Sequence, residues 1–161
     1  MKPTVYVETS VIGYLTSWPQ ENVTVAGHQY TTRLWWSTAR EHFDLFVSQL
    51  VIRECSDGDA DAVQERLRSI DGIPVLLIKP AAEALAAALI RAHAVPETRP
   101  NDALHIAVAA SHQVQYLVSW NFRHIVNASI RPAIERACCD GGYDPPMICT
   151  PEELLEPEDD G

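Results

Sequence analysis

Short strand-forming runs alternate with helix-length stretches along this chain, and that alternation constrains the fold more than any other feature. Val5 to Val7, "DLFVS" at 44–48, "IPVLLIK" at 73–79, "QYLVS" at 115–119 and "PMICT" at 146–150 are rich in β-branched and apolar residues. Between them lie helical patterns. Val11 to Leu15 begin one, and Trp35, Ala39, His42 and Phe43 recur at helical spacing within Thr31 to Phe43. Ser48 offers an N-cap for a short helix carrying Leu50, Val51 and Glu54. "DGD" breaks the chain before an amphipathic helix through Ala60, Val63, Leu67 and Ile70. Pro80 suits the first turn of a helix through Leu85 and Leu89 that ends near Pro96. "DALHIAVAAS" is apolar nearly all round and predicts a buried helix, and Pro132 opens a last helix through Ile134, Ala137 and Cys138. Over residues 16–27 the signal is poor, and "SWPQEN" reads as a loop. The run at 73–79, bounded by Gly72 and Pro80, reads as a strand buried on both faces. Strands alternating with helices predict an α/β fold around a parallel sheet.

At 161 residues the chain makes one domain, read here as 1–155, followed by an acidic tail at 156–161 expected to fray. The formal charge of −10 argues against a free-standing, sequence-independent nucleic-acid binder, which carries a basic stripe. It leaves room for an enzyme whose clustered carboxylates hold metal ions, because a bound cation inverts the local field. Cys55, Cys138, Cys139 and Cys149 have no zinc-type pairing and read as reduced thiols of a cytoplasmic protein. No secretory signal or membrane-length apolar run is visible, so a soluble, intracellular protein is expected.

In open α/β sheets the functional site lies beyond the carboxyl ends of the strands. Glu8 leaves the first strand and Asn121 the fourth; Glu54 and Asp102 sit on helices that begin at the same edge. Taken singly, each has a bland reading: a loop acid, a solvated helical acid, a first-turn acid favoured by the helix dipole, a turn asparagine. Taken together, three carboxylates and an amide oxygen suit a hard divalent cation, which polarises a phosphoryl oxygen and supplies hydroxide for in-line attack. Of the six histidines, His105 lies one helical turn from Asp102; a satisfied buried histidine is the expected role. Arg99, Arg123 and Arg131 are candidates for phosphate contacts. Trp35 and Trp36 cannot both face the core, so one is expected to pack and the other to lie at a partner surface. There is no zincin pair, GxSxG or phosphate-cradling glycine loop.

"YVETSV", "SQLVIRE", "NDALHIAVAA" and "YLVSWNF" occur in the order and context of a PIN domain, and the chain most resembles the VapC-type toxin ribonucleases of toxin–antitoxin pairs. The resemblance runs from Val5 to about Leu155. It implies a three-layer α/β/α sandwich with a mostly parallel sheet and an acidic site that binds Mg²⁺ or Mn²⁺ and cleaves RNA. It also implies a cognate antitoxin and a homodimer. Position by position, Glu8 falls at the family's first aspartate and Ser10 at the small polar residue that supports it. Glu54 matches the glutamate of the short helix after the second strand, and Asp102 the aspartate opening the buried helix. Asn121 falls where a further aspartate is usual. The resemblance therefore implies catalysis by Glu8, Glu54, Asp102 and Asn121, with Glu8, Asp102 and Asn121 as metal ligands. Glu8 is one methylene longer than aspartate and Asn121 lacks a charge, and both departures bear on activity. They motivate an alternative, a degenerate module that binds RNA or protein without cutting. A receiver-type signalling domain would need a phosphoacceptor aspartate after a middle strand, and "LLIKP" supplies none.

Overall fold

The computed structural model describes residues 1–157. Five strands form one sheet: β1 (Thr4–Val7), β2 (Asp44–Ser48), β3 (Val75–Leu76), β4 (Tyr116–Val118) and β5 (Met147–Cys149). Their order is β3-β2-β1-β4-β5, and all four pairings are parallel. Seven helices connect them: α1 (Thr9–Thr16), α2 (Val23–His42), α3 (Gln49–Cys55), α4 (Ala60–Ser69), α5 (Pro80–Arg91), α6 (Pro100–Ser111) and α7 (Arg131–Asp140). Helix α1 packs against α2, α3 and α4, while α5 packs against α6 and α7. Those two groups are the outer layers of the expected α/β/α sandwich. Pro151–Leu154 form a 3₁₀ turn that docks on α2.

The core is legible residue by residue. Tyr6, Ile106, Leu117, Ile125 and Ile134 are completely buried, and Val5, Val7 and Val118 line the central strands. Helix α6 buries seven of its twelve residues, as expected of a helix apolar all round.

Two expectations need correction. Helix α2 begins at Val23 rather than at Thr31, directly after the "SWPQEN" loop; Asn22 caps it, its side-chain oxygen accepting the Val25 N–H at 3.1 Å. The buried face of α2 is Gln29, Thr32, Trp35 and Ala39. Two of those four are polar, so hydrophobic periodicity could not reveal the first turns. The run at 73–79 is not buried on both faces: only Val75–Leu76 pair as a strand, and Val75 and Leu77 stay exposed at 44% and 56%. Its strand, β3, is an edge with β2 as its single neighbour. In the expected tail, Glu156 pairs with His42 at 3.4 Å, and residues 158–161 lie outside the described residues. Trp35 is buried as expected of one of the tryptophan pair, whereas Trp36 lies half-buried against the core with Arg40 over its ring.

Candidate active site

The chain leaves β1 toward β2 on one side, and later returns past it to place β4 on the other. The crevice between the carboxyl ends of β1 and β4 is therefore the topological switch point, where an open α/β sheet offers a ligand site. Glu8 sits at that point. Its backbone N–H donates to the Val118 carbonyl at 3.1 Å, continuing the β1–β4 ladder, and its side chain caps α1 by accepting the Ser10 N–H at 3.0 Å. The Ser10 hydroxyl donates to Glu8 Oε1 at 2.5 Å, and the Ser119 hydroxyl donates to the same oxygen. Ser10 Oγ also accepts the Trp120 N–H at 2.8 Å. Ser10 thus supports Glu8 and ties α1 to the chain leaving β4. Glu8 is almost fully buried, so its longer side chain reaches these donors within the crevice rather than projecting into solvent.

Glu54 comes from the last turn of α3, whose N-cap Ser48 ends β2. Its Oε1 accepts the Thr9 hydroxyl at 2.6 Å and lies 2.6 Å from His105 Nε2. The same imidazole nitrogen is 3.9 Å from Glu8 Oε2. Donor atoms of Glu8, Glu54 and His105 all lie within 4.8 Å of one another. On its other side, His105 Nδ1 meets the Tyr6 hydroxyl at 2.7 Å, which in turn lies 2.8 Å from Ser48 Oγ. His105 is thus both a satisfied buried histidine and part of the cluster.

The charges are coupled. Burial pushes the His105 pKa down, but the Glu54 hydrogen bond and the charges of Glu8, Glu54 and Asp102 outweigh it and raise it above the ordinary histidine value. Burial likewise pushes Glu54 up, yet the hydrogen bond and charge of His105, with Thr9 and Asn101, hold it below the usual carboxylate value. Both shifts favour the ionised form of the Glu54–His105 pair. Asp102 opens α6 and is half-buried; burial, with the charge of Glu8, raises its pKa despite a hydrogen bond from Asn121. A carboxyl strained in this way is one that a cation would relieve.

Asn121 lies beside Asp102, but its side-chain oxygen accepts the His124 N–H at 3.0 Å and holds the turn after β4. Both sequence readings of Asn121, turn residue and neighbour of the site, describe it, and one oxygen lone pair remains for an ion. Among the arginines, Arg99 precedes α6 and Arg123 follows Asn121, both exposed, whereas Arg131 points a guanidinium nitrogen at the Ile148 carbonyl, 3.4 Å away.

All four sequence-selected residues leave the same sheet edge. A PIN domain family model matches residues 5–125. The chain belongs to the PIN domain family. No curated protein sequence matches this PIN domain chain. In a crystal structure of VapBC2 from Rickettsia felis bound to a DNA fragment from their promoter, one chain is similar in fold. It has a TM-score of 0.56 at 12% identity, and the match covers 74% of this chain and 89% of that one. Sequence reasoning missed Ser119 and Tyr6 as supports, and it placed Thr9 at the turn of Glu8 rather than on Glu54. The one available signal was position: Ser119 directly follows β4 at the switch point.

The donor set fits a hard divalent cation. Glu8 and Glu54 bring carboxylate oxygens together beside His105, and Asp102 lies near enough for its charge to couple with Glu8 and His105. Soft ligands are no part of the cluster: of the described cysteines, Cys55 is the one beside Glu54 in sequence, and burial pushes its thiol up to about 11.

Proposed function

We propose that this PIN domain protein is a divalent-metal-dependent endoribonuclease, the toxin of a type II toxin–antitoxin pair acting in the cytoplasm. The observation that carries the reading is the cluster of Glu8, Glu54 and His105 at the switch point, to which Asp102, with Asn121 beside it, is coupled by charge. Mg²⁺ or Mn²⁺, if held there, would polarise a phosphoryl oxygen and lower the pKa of water for attack. The chain's own part is placement: Ser10 and Ser119 fix Glu8, while Thr9 and His105 fix Glu54. We assign Glu8, Glu54 and Asp102 as the principal ligands, with Asn121 contributing its second lone pair. Partner proteins have an apolar surface to use. Trp18, Val23, Tyr30 and Leu34 are all exposed, the last three recurring along α2. This surface supports an antitoxin or a second copy of the chain. No helix among the described residues is long and apolar enough to cross a membrane.

One observation favours the second reading, a binding module without cleavage: both Glu8 oxygens already accept hydrogen bonds, and Glu54 Oε1 accepts two partners. Incubation of purified protein with single-stranded oligoribonucleotides in Mg²⁺, Mn²⁺ or EDTA decides between them. Cleavage that requires metal and disappears in Asp102→Asn supports the nuclease. Metal binding by calorimetry without cleavage supports the module. Light scattering that shows only monomer at high micromolar concentration would remove the homodimer.

A further inference from the structure

The chain that carries Ser119 and Asn121 past Glu8 also carries two aromatic residues, and the site does not use them. Trp120 is buried, and His28 of α2 stacks flat on it, with centroids 4.2 Å apart and planes 19° apart. Phe122 leans on both, 5.6 Å from His28 and 5.9 Å from Trp120, and remains 48% exposed. Tyr14 of α1 closes the far side, edge-on to His28 at 5.9 Å and to Trp120 at 6.0 Å. The cluster is locked from beneath. The Trp120 indole N–H donates to Thr32 Oγ1 at 2.8 Å, and the Thr32 hydroxyl donates to the His28 carbonyl at 2.6 Å. It is also tied to the acidic site by backbone: the Trp120 N–H meets Ser10 Oγ, and the Asn121 N–H meets Ser119 Oγ at 3.0 Å, the two hydroxyls that hold Glu8.

A surface phenylalanine supported by a stacked, hydrogen-bonded aromatic pair is rigid before any ligand arrives. Ordering it costs little on binding. Its chemistry matches a nucleobase, whose π-face stacks on aromatic side chains whatever the base. The overall charge makes such a contact necessary. With 22 acidic residues against 12 lysines and arginines, the chain has little attraction for phosphates beyond what bound cations provide, so affinity for RNA has to come from base faces. A duplex keeps its bases stacked on one another, whereas a single strand can splay one out.

We propose that Phe122, backed by the His28–Trp120 stack, is the platform on which a base of single-stranded RNA stacks next to the phosphate at the acidic site. This rests on reading the protein as one that acts on RNA. It adds a specificity-determining contact to that reading: unpaired nucleotides, held by a base face.

The experiment compares binding of a fluorescein-labelled single-stranded oligoribonucleotide with one whose central nucleotides lack bases, by anisotropy in Ca²⁺ buffer. Phe122→Ala is expected to weaken binding of the intact strand about 5- to 100-fold, the range that loss of one stacked base implies, and to leave the abasic strand unchanged. Phe122→Trp retains tight binding. Phe122→Leu, which keeps apolar volume without a π-face, loses it as alanine does. Metal titration of the variants stays at the wild-type value, because a phenyl ring offers the ion no ligand, while the melting temperature of Phe122→Ala falls modestly with its lost contacts to His28 and Trp120. The platform is overturned if wild-type protein binds no RNA, or binds intact and abasic strands alike. It is equally overturned if Phe122→Leu binds like wild type, or if Phe122→Ala loses affinity for both strands. Mg²⁺-dependent cleavage in wild type separates the two ideas. Base-dependent binding without cleavage keeps the platform and removes the nuclease; cleavage indifferent to Phe122 removes the platform and keeps the nuclease.

Discussion

Tyr6→Phe tests whether the buried relay behind the acids holds the site. Tyr6 is completely buried in the central strand β1, and burial pushes its phenol far above the ordinary tyrosine value, so the hydroxyl stays protonated. Phenylalanine keeps the ring and its edge-on contact with His105 at 5.8 Å. Only the hydroxyl goes, and with it the contacts to His105 Nδ1 and Ser48 Oγ at 2.7 and 2.8 Å. Ser48 Oγ still accepts the Val51 N–H at 3.2 Å, so its loss amounts to one ordinary hydrogen bond, about 0.5–1.5 kcal/mol net. His105 Nδ1 is left in the core with no partner, which costs about 1–3 kcal/mol. The two together come to about 1.5–4.5 kcal/mol. For a chain of this length, where each kcal/mol moves the melting temperature by about 2–4 °C, the expected fall is about 3–18 °C. Urea unfolding in EDTA, followed by circular dichroism, should show a lower midpoint at unchanged slope. A change below about 0.5 kcal/mol, the scale of a neutral surface substitution, would mean that the hydroxyl holds nothing in place.

Other substitutions reach the acids themselves. Burial and Glu8 raise the Asp102 pKa in the folded state, so ionised Asp102 destabilises the metal-free protein; that penalty is present above its folded pKa and relieved as pH falls through it. Asp102→Asn should therefore melt higher than wild type in EDTA at neutral pH, and the gap should close on acidification; a gap independent of pH refutes the assignment. Asn121→Asp can keep the His124 N–H contact but sets a second charge beside Asp102, so it should lower stability in EDTA and strengthen Mg²⁺ or Mn²⁺ binding by calorimetry. Identical metal affinities would remove Asn121 from the site. Leu117→Ala, at a fully buried position in β4, should cost about 2–5 kcal/mol in a denaturant titration, and a smaller loss would mean that the sheet relaxes around the cavity.

The sequence alone determined the architecture, because local pattern and layer position agree along most of the chain. Alternating strand and helix signals point to a parallel sheet with helices on both faces, and "DALHIAVAAS" announces a largely buried helix. It also put Glu8, Glu54, Asp102 and Asn121 at one sheet edge, since each follows a strand or sits on a helix that leaves that edge. Where pattern and burial part company, the reading failed. The buried face of α2 includes Gln29 and Thr32, whose polar groups are satisfied by Trp18, Gln20, His28 and Trp120, partners that exist only after folding. The run at 73–79 is apolar, yet being an edge depends on strand order, which no local residue encodes. The same holds at the site. Ser119 reaches Glu8 across 111 positions and His105 reaches Tyr6 across 99, so the hydrogen bonds that set the charge and rigidity of the acids come from chain crossings. The sequence supplied the acids; only the packing of α3 and α6 against the end of β1 brings Glu8, Glu54 and His105 within reach of one ion.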